Sequence, residues 1–212
     1  MTPPATNCPS CGAPITIRWA GSVQTTCPYC KSILVRHNVN LDKVGKVAEL
    51  PLDPSPIQIG TEGIFNNKPF VVLGRIVYEY DQGNWNEWHL VFNDGSSGWL
   101  SDAMLNYAVS FLVRSPGDLP APDKITRQSM FQWDTTYFVS TKTAANYKGV
   151  EGELPFEYWD KSRVLFVDLR TADGRFATLD YSEANPLLFM GRFVEFDELR
   201  LKNVKLFEGW TQ

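Results

Sequence analysis

Residues 84–100 read NWNEWHLVFNDGSSGWL, with three tryptophans packed around an Asp-Gly pair. In an extended strand successive side chains point to opposite faces. Along EWHLVF, residues 87–92, Trp88, Leu90 and Phe92 therefore share one face, and Glu87, His89 and Val91 share the other. Asp94-Gly95 is a hairpin signal, because glycine adopts the left-handed backbone that tight reversals need. The run thus reads as strand, turn and return strand. Trp99 on the return strand is expected to meet Trp88 across the hairpin, and the two are read as core packing. Trp85 is out of phase with Trp88, so it is expected at a loop or partly exposed, where it is a candidate ligand platform. The Glu87/His89 face reads as a solvated polar face.

A second block repeats the pattern. PFVVLGRIVYEY (69–80) precedes the first hairpin, and TYFVSTKTAANYKGVEGELPF (136–156) precedes VLFVDLRTADGRFATLDYSE (164–183), which turns at Asp173-Gly174. Each block is a β-branched and aromatic run followed by an Asp-Gly hairpin. YAVSFLV (107–113), RFVEFDEL (192–199) and LKNVKLF (201–207) read as further strands, and LSDAML (100–105) as a short helical turn. Prolines in LPLDPSP (50–56) and RSPGDLPAPDK (114–124) break the chain. The expectation is an all-β protein: a zinc ribbon over 1–40, a linker over 41–56, and a β-rich barrel or sandwich over 57–212. Within the last, repeat units over 57–114 and 125–208 are expected.

The four cysteines, Cys8, Cys11, Cys27 and Cys30, fall in CPSCGAPITIRWAGSVQTTCPYC as two C-x2-C pairs fifteen residues apart. Two such pairs offer four thiolates, the ligand set of a closed tetrahedral Zn²⁺ site, and no position is left open for a water. The cofactor expected is structural zinc. ITIRWAGSVQTT between the pairs reads as a hairpin turning at Ala20-Gly21. His37 follows the ribbon and is read as a surface residue.

Charge narrows the partners. Of the net −4, residues 1–50 hold five Lys/Arg against two Asp/Glu, a formal +3 that zinc thiolates reduce to about +1, leaving −7 for residues 51–212. Nucleic acid is an unlikely partner for so acidic a body, and a role for Arg18, Trp19, Lys31 and Arg36 on the ribbon is weak. No apolar run approaches the roughly 20 residues of a membrane-spanning helix. The opening MTPPATNCPSCG has neither the basic nor the apolar region of a secretory signal, so a cytoplasmic location is expected.

GTEGIFNNKPFVVLGRIVYEY, the spacing of tryptophans and Asp-Gly over 85–100, and GVEGELPF together resemble the bacterial family of domain of unknown function 4178. The resemblance extends over nearly all of the chain from residue 8, and an amino-terminal zinc ribbon is common among its members. It assigns no activity and no functional residues. Its association with envelope-stress and polyamine-synthesis genes implies a membrane-maintenance complex, with peripheral rather than spanning attachment.

No nucleophile motif, phosphate loop or metalloprotease signature is present, so catalysis is not expected. The leading expectation is an adaptor that docks another protein through the ribbon and the β domain. The alternative is a receptor for a polyamine or other small cation. Its candidate residues are Trp85 and, in EGELPFEYWD (151–160), Glu151, Glu153, Glu157, Tyr158 and Trp159, where carboxylates alternate with aromatic faces.

Overall fold

The computed structural model describes residues 6–37, 40–47, 50, 54–114, 118–157 and 163–207. Its strands are β1 (Thr6–Asn7), β2 (Pro14–Ile15), β3 (Gln24–Thr26), β4 (Ser32–His37), β5 (Asn40–Lys46), β6 (Glu62–Phe65), β7 (Lys68–Tyr80), β8 (Gly83–Phe92), β9 (Ser97–Ala103), β10 (Asn106–Val113), β11 (Met130–Gln132), β12 (Thr136–Leu154), β13 (Val164–Arg170), β14 (Arg175–Asp180) and β15 (Leu187–Val194). The only helical pieces among the described residues are 3-10 turns at Pro122–Lys124 and Phe196–Leu199. Among the described residues no helix is long and apolar enough to cross a membrane.

Eight strands close into an antiparallel barrel. β7 to β10 form one four-stranded meander and β12 to β15 another, and the two are joined by the β10–β15 and β12–β7 pairings. Each sequence block thus supplies half of a single barrel. The halves share the same reversal between their second and third strands. Phe92 and Thr171 each donate an amide to the residue four ahead and accept one from a glycine three ahead, Gly95 at φ +83° and Gly174 at φ +81°. These are three-residue hairpin loops closed by a left-handed glycine.

Closure is tight at both seams: at β10–β15 a Cβ on Gly191 would lie 1.8 Å from the Val109 backbone oxygen, and the β7–β12 crossing is nearly as close. Gly74 pairs with Gly152, and a Cβ on either would lie 2.0 or 2.1 Å from the facing backbone oxygen of Glu153 or Leu73. Only glycine fits both positions.

Both outer walls of the barrel are covered. Trp88, Leu90 and Phe92 face outward into a core completed by Ile57, Phe65 and Leu199 from the β6 hairpin and the carboxy-terminal segment. Val167, Leu169, Ala177 and Leu179 face outward beneath Ile125 and Tyr137. Burying side chains of this size contributes about 1.5–3 kcal/mol each.

The ribbon is not a separate bead. β3 pairs with β4 and with Glu153 and Leu154 at the end of β12, so its sheet continues that of the barrel. The hairpin expected over ITIRWAGSVQTT does not form: β2 pairs back onto β1, and β3 turns toward β4 and β12. The expected linker over 41–56 contains most of β5, paired with β4. LSDAML is strand and hairpin turn rather than helix. RFVEFDEL remains strand only to Val194, and LKNVKLF contributes a single bridge, Lys202 to Glu62. His37 is exposed and pairs with Asp42 at 3.6 Å.

Candidate functional site

The barrel encloses a lumen of about 690 Å³. It opens at the end carrying the β7–β8 and β9–β10 turns, where Asp81, Gln82 and Met104 line it, and Phe156, Trp99 and Phe189 line its other end. This lumen corrects the solvated-face reading of Glu87 and His89. The alternation was right, but in a closed barrel the face opposite Trp88 is the interior. Glu87 lines the lumen, and His89 is fully buried beneath it.

Trp99 is also on the inside. It pairs with His89, while Trp88 pairs with Leu100, because the three-residue turn shifts the return strand by one. The expected Trp88–Trp99 pair is therefore split across the wall: Trp88 packs outside and Trp99 lines the lumen, stacked on Phe156 at 5.7 Å. Trp85, expected at a loop or partly exposed, is half-buried on β8 and faces inward. It stacks on Tyr78 at 4.9 Å and meets Phe166 edge-on at 5.5 Å.

Against this aromatic wall sit carboxylates. Glu87 accepts from Trp85 Nε1 at 3.0 Å and from Ser101 Oγ at 2.8 and 3.0 Å. Burial pushes its carboxyl up to about 8, against the pull of those bonds, and the neighbouring charges of Asp168 and Asp180 raise it further. Asp168 accepts from Thr141 Oγ1 and Thr178 Oγ1, each at 2.7 Å, and burial holds its carboxyl above the ordinary range. Asp180 is buried at the same wall. The donors to Glu87 and Asp168 are all neutral. Glu87 and His89 do not bond one another, so they form no acid–base couple.

The acidic stretch expected to hold a ligand is otherwise engaged. Glu153 is buried, and its carboxylate accepts the main-chain amides of Arg18 at 2.8 Å and Trp19 at 3.2 Å. It holds the ribbon and does not line the lumen. Glu151 pairs with the buried Arg75 at 3.3 Å. Glu157 is exposed, and Tyr158 and Trp159 lie outside the described residues. The strand carboxylates that face the lumen, Glu87, Asp168 and Asp180, lie on three strands far apart in sequence, with Asp81 at the mouth, and no local motif connects them.

At the far end of the molecule the Sγ atoms of Cys8, Cys11, Cys27 and Cys30 all lie within 4.8 Å of one another. Cys8–Cys30 is 3.7 Å and Cys11–Cys27 is 3.8 Å, too long for disulfides. Thiolates at 2.3 Å around one tetrahedral ion stand about 3.8 Å apart, so the cluster fits a metal ion. Each knuckle ends in a left-handed residue, Gly12 at φ +75° and Lys31 at φ +59°. The amide of Ser10 points at Cys8 Sγ from 3.4 Å.

The architecture is thus a closed β-barrel with a ligand-sized lumen and an appendage, sharing one of its strands, whose four clustered cysteines could hold a metal ion. The family model described as Domain of unknown function (DUF4178) matches residues 58–196, which include the whole barrel, and the chain belongs to that family. No curated protein and no solved structure matches the chain.

Proposed function

We propose that this protein is a non-catalytic receptor for a small organic cation, held in the barrel lumen, with the four cysteines carrying a structural Zn²⁺. The observation that carries the reading is the pair Glu87 and Asp168. They are inward-facing carboxylates, bonded only by hydroxyl and indole donors, beside the Tyr78–Trp85–Phe166 aromatic wall. Buried carboxylates are stabilised by opposite charge, and ammonium groups are attracted both to them and to aromatic faces. A volume of about 690 Å³ is in the range of small-molecule sites.

Tryptophan fluorescence tests this directly, because Trp85 and Trp99 line the lumen. Titration with spermidine or choline is expected to give a saturable change with Kd below about 1 mM, weakened by Glu87→Gln with Asp168→Asn. Absence of saturation with both cations in the folded protein removes the proposal.

A docking role for the ribbon is a second proposal. Trp19 is turned into the barrel, its Nε1 donating to Gly95 O at 3.1 Å, whereas Tyr29 in the second knuckle is 68% exposed. Its test is reproducible co-purification of a defined partner that is lost on Tyr29→Ser.

A further inference from the structure

One strand of the lumen carries groups of different charge in order. On β13 the inward positions climbing toward the open end are Phe166, Asp168 and Arg170, about 6.5–7 Å apart by strand geometry. An aromatic ring, an acid and a base therefore follow in order. Arg170 is exposed, and its guanidinium lies over the Phe193 ring at 4.6 Å. Arg127, also exposed, lines the same cavity. Neither makes a direct ion pair among the described residues, and the charge of Arg170 acts at longer range on Asp168, partly offsetting the rise that burial causes. Lys142 lines the cavity too, but its ammonium is held by the carbonyls of Pro122 at 2.6 Å and Ile125 at 3.4 Å. Arg163, exposed at the other end of β13, and Asp81, at the β7–β8 turn, complete the charged lining.

Beside Asp81 the mouth carries the Arg170 guanidinium, whose charge acts on Asp168, and together with Arg127 elsewhere in the lining it opposes a simple cation approaching the acids below. A ligand that carries its own anion removes the conflict. Guanidinium is the side chain suited to forked hydrogen bonding of phosphate or carboxylate, and it has free donors here because stacking on Phe193 uses only its face. We infer that the ligand is a zwitterion, its ammonium against Glu87, Asp168 and the aromatic wall, its phosphate or carboxylate at Arg170 and Arg127. This rests on the cation reading above and specifies the other half of the molecule.

The test uses the full chain with two probes that share one ammonium group, choline and phosphocholine, followed by tryptophan fluorescence and calorimetry. Phosphocholine is expected to bind at least about tenfold more tightly than choline, an advantage supplied by charge-assisted bonds. Arg170→Gln, an exposed substitution whose folding is checked by melting temperature, is expected to remove that advantage by weakening phosphocholine, while choline, relieved of a repelling charge, binds as well as before or more tightly. Glu87→Gln with Asp168→Asn is expected to weaken both probes. Phosphatidylcholine vesicles separate the sources: Arg170-dependent sedimentation marks a lipid headgroup, and phosphocholine binding without sedimentation marks a free solute. Choline binding as tightly as phosphocholine, or Arg170→Gln weakening both alike, overturns the zwitterion and leaves the cation receptor standing. If spermidine, choline and phosphocholine all fail to bind, both fall.

Discussion

His89 donates from Nδ1 to the main-chain carbonyl of Glu153 at 2.9 Å, while the Glu153 carboxylate accepts the amides of Arg18 and Trp19. A carbonyl only accepts, so the proton sits on Nδ1. That leaves Nε2 as a buried lone pair without a hydrogen-bond partner. The Trp19 and Trp99 rings flank the imidazole at 5.1 and 5.3 Å. One residue pair thus ties the floor of the barrel to the ribbon, and burial pushes the His89 pKa down to about 4.

This node predicts an acid-sensitive joint. Unfolded His89 takes up a proton near pH 6.5 but the folded residue only near 4, so between those values the unfolded state binds more protons. Stability from this site is complete above pH 6.5 and is lost as pH falls toward 4. His89→Gln should abolish that acid limb while costing about 1 kcal/mol at pH 7 through poorer packing and bonding. Thermal melts of the two proteins from pH 4 to 8 check it, and parallel curves would show that His89 does not titrate between the two states.

Glu87 acts in the opposite direction. Its folded value of about 8 lies above the ordinary 4.5, so across that window the folded state holds the extra proton. Its contribution is fully present below pH 4.5 and is lost as pH rises through 8. Between 4.5 and 6.5 the His89 and Glu87 slopes offset, and the raised carboxyls of Asp168 and Glu153 act in the same direction as Glu87. Glu87→Gln should therefore be stabilising by on the order of 1–2 kcal/mol at pH 9, about 2–8 °C in Tm, and close to neutral at pH 5. Equal shifts at the two pH values would contradict this.

The same group makes cation binding pH-dependent. A neutral Glu87 must ionise to meet an ammonium, so the cation should bind more tightly as pH rises from 6 to 9, with a proton released on binding. Calorimetry in buffers of different ionisation enthalpy reads that proton directly. Binding heat that is independent of the buffer, with affinity flat across the range, would mean that Glu87 does not ionise when the cation enters.

How far the sequence carried the fold follows from particular residues. The Asp-Gly turns at 94–95 and 173–174 were legible because a left-handed glycine leaves a local signature, and the two blocks they mark each became half of the barrel. The four cysteines were legible through spacing alone. Alternation along EWHLVF assigned the two faces correctly but could not say which was inside, since Trp88 is covered by distant segments such as Ile57 and Leu199. Trp99 went to the other face because one extra turn residue reverses strand phase. Glu151 and Glu153 part company because Gly152 between them has φ +67°, which interrupts regular extended geometry. The lumen carboxylates come from β8, β13 and β14, and only long-range closure brings them together.

Metal removal offers a separate check on the joint. With the thiolates at tetrahedral spacing, the protein should contain about one Zn²⁺ per chain by elemental analysis. Chelation under denaturant-free conditions, or Cys27→Ser, should unfold the ribbon and lower Tm, since structural zinc contributes folding energy outright. Cys8, Cys27, Ile15, Ile17, Leu34 and Leu41 form the ribbon's own small core, so the damage should start there. Trp19 would then leave His89 and Gly95, and its fluorescence should shift to the red while far-UV dichroism keeps the barrel's β signal. Loss of all β signal on metal removal would mean instead that the barrel cannot stand without its appendage.

The β9–β10 hairpin at the lumen mouth is strained at its tip. Met104 and Leu105 occupy a two-residue turn with φ of +50° and +66°, left-handed values that β-hairpin turns ordinarily reserve for Asn and Gly. Both side chains are exposed, at 66% and 80%, so packing does not repay the strain. Strain of this kind is about 1 kcal/mol or more for each residue. Met104→Asn with Leu105→Gly should relieve it and raise stability by about 1–2 kcal/mol. Natural chains keep strained residues where they act, and Met104 lines the cavity entrance. The stabilised variant is therefore expected to bind its cation several-fold more weakly, measured by the same fluorescence titration. A gain in Tm with unchanged affinity would show that the apolar tip plays no part in ligand entry.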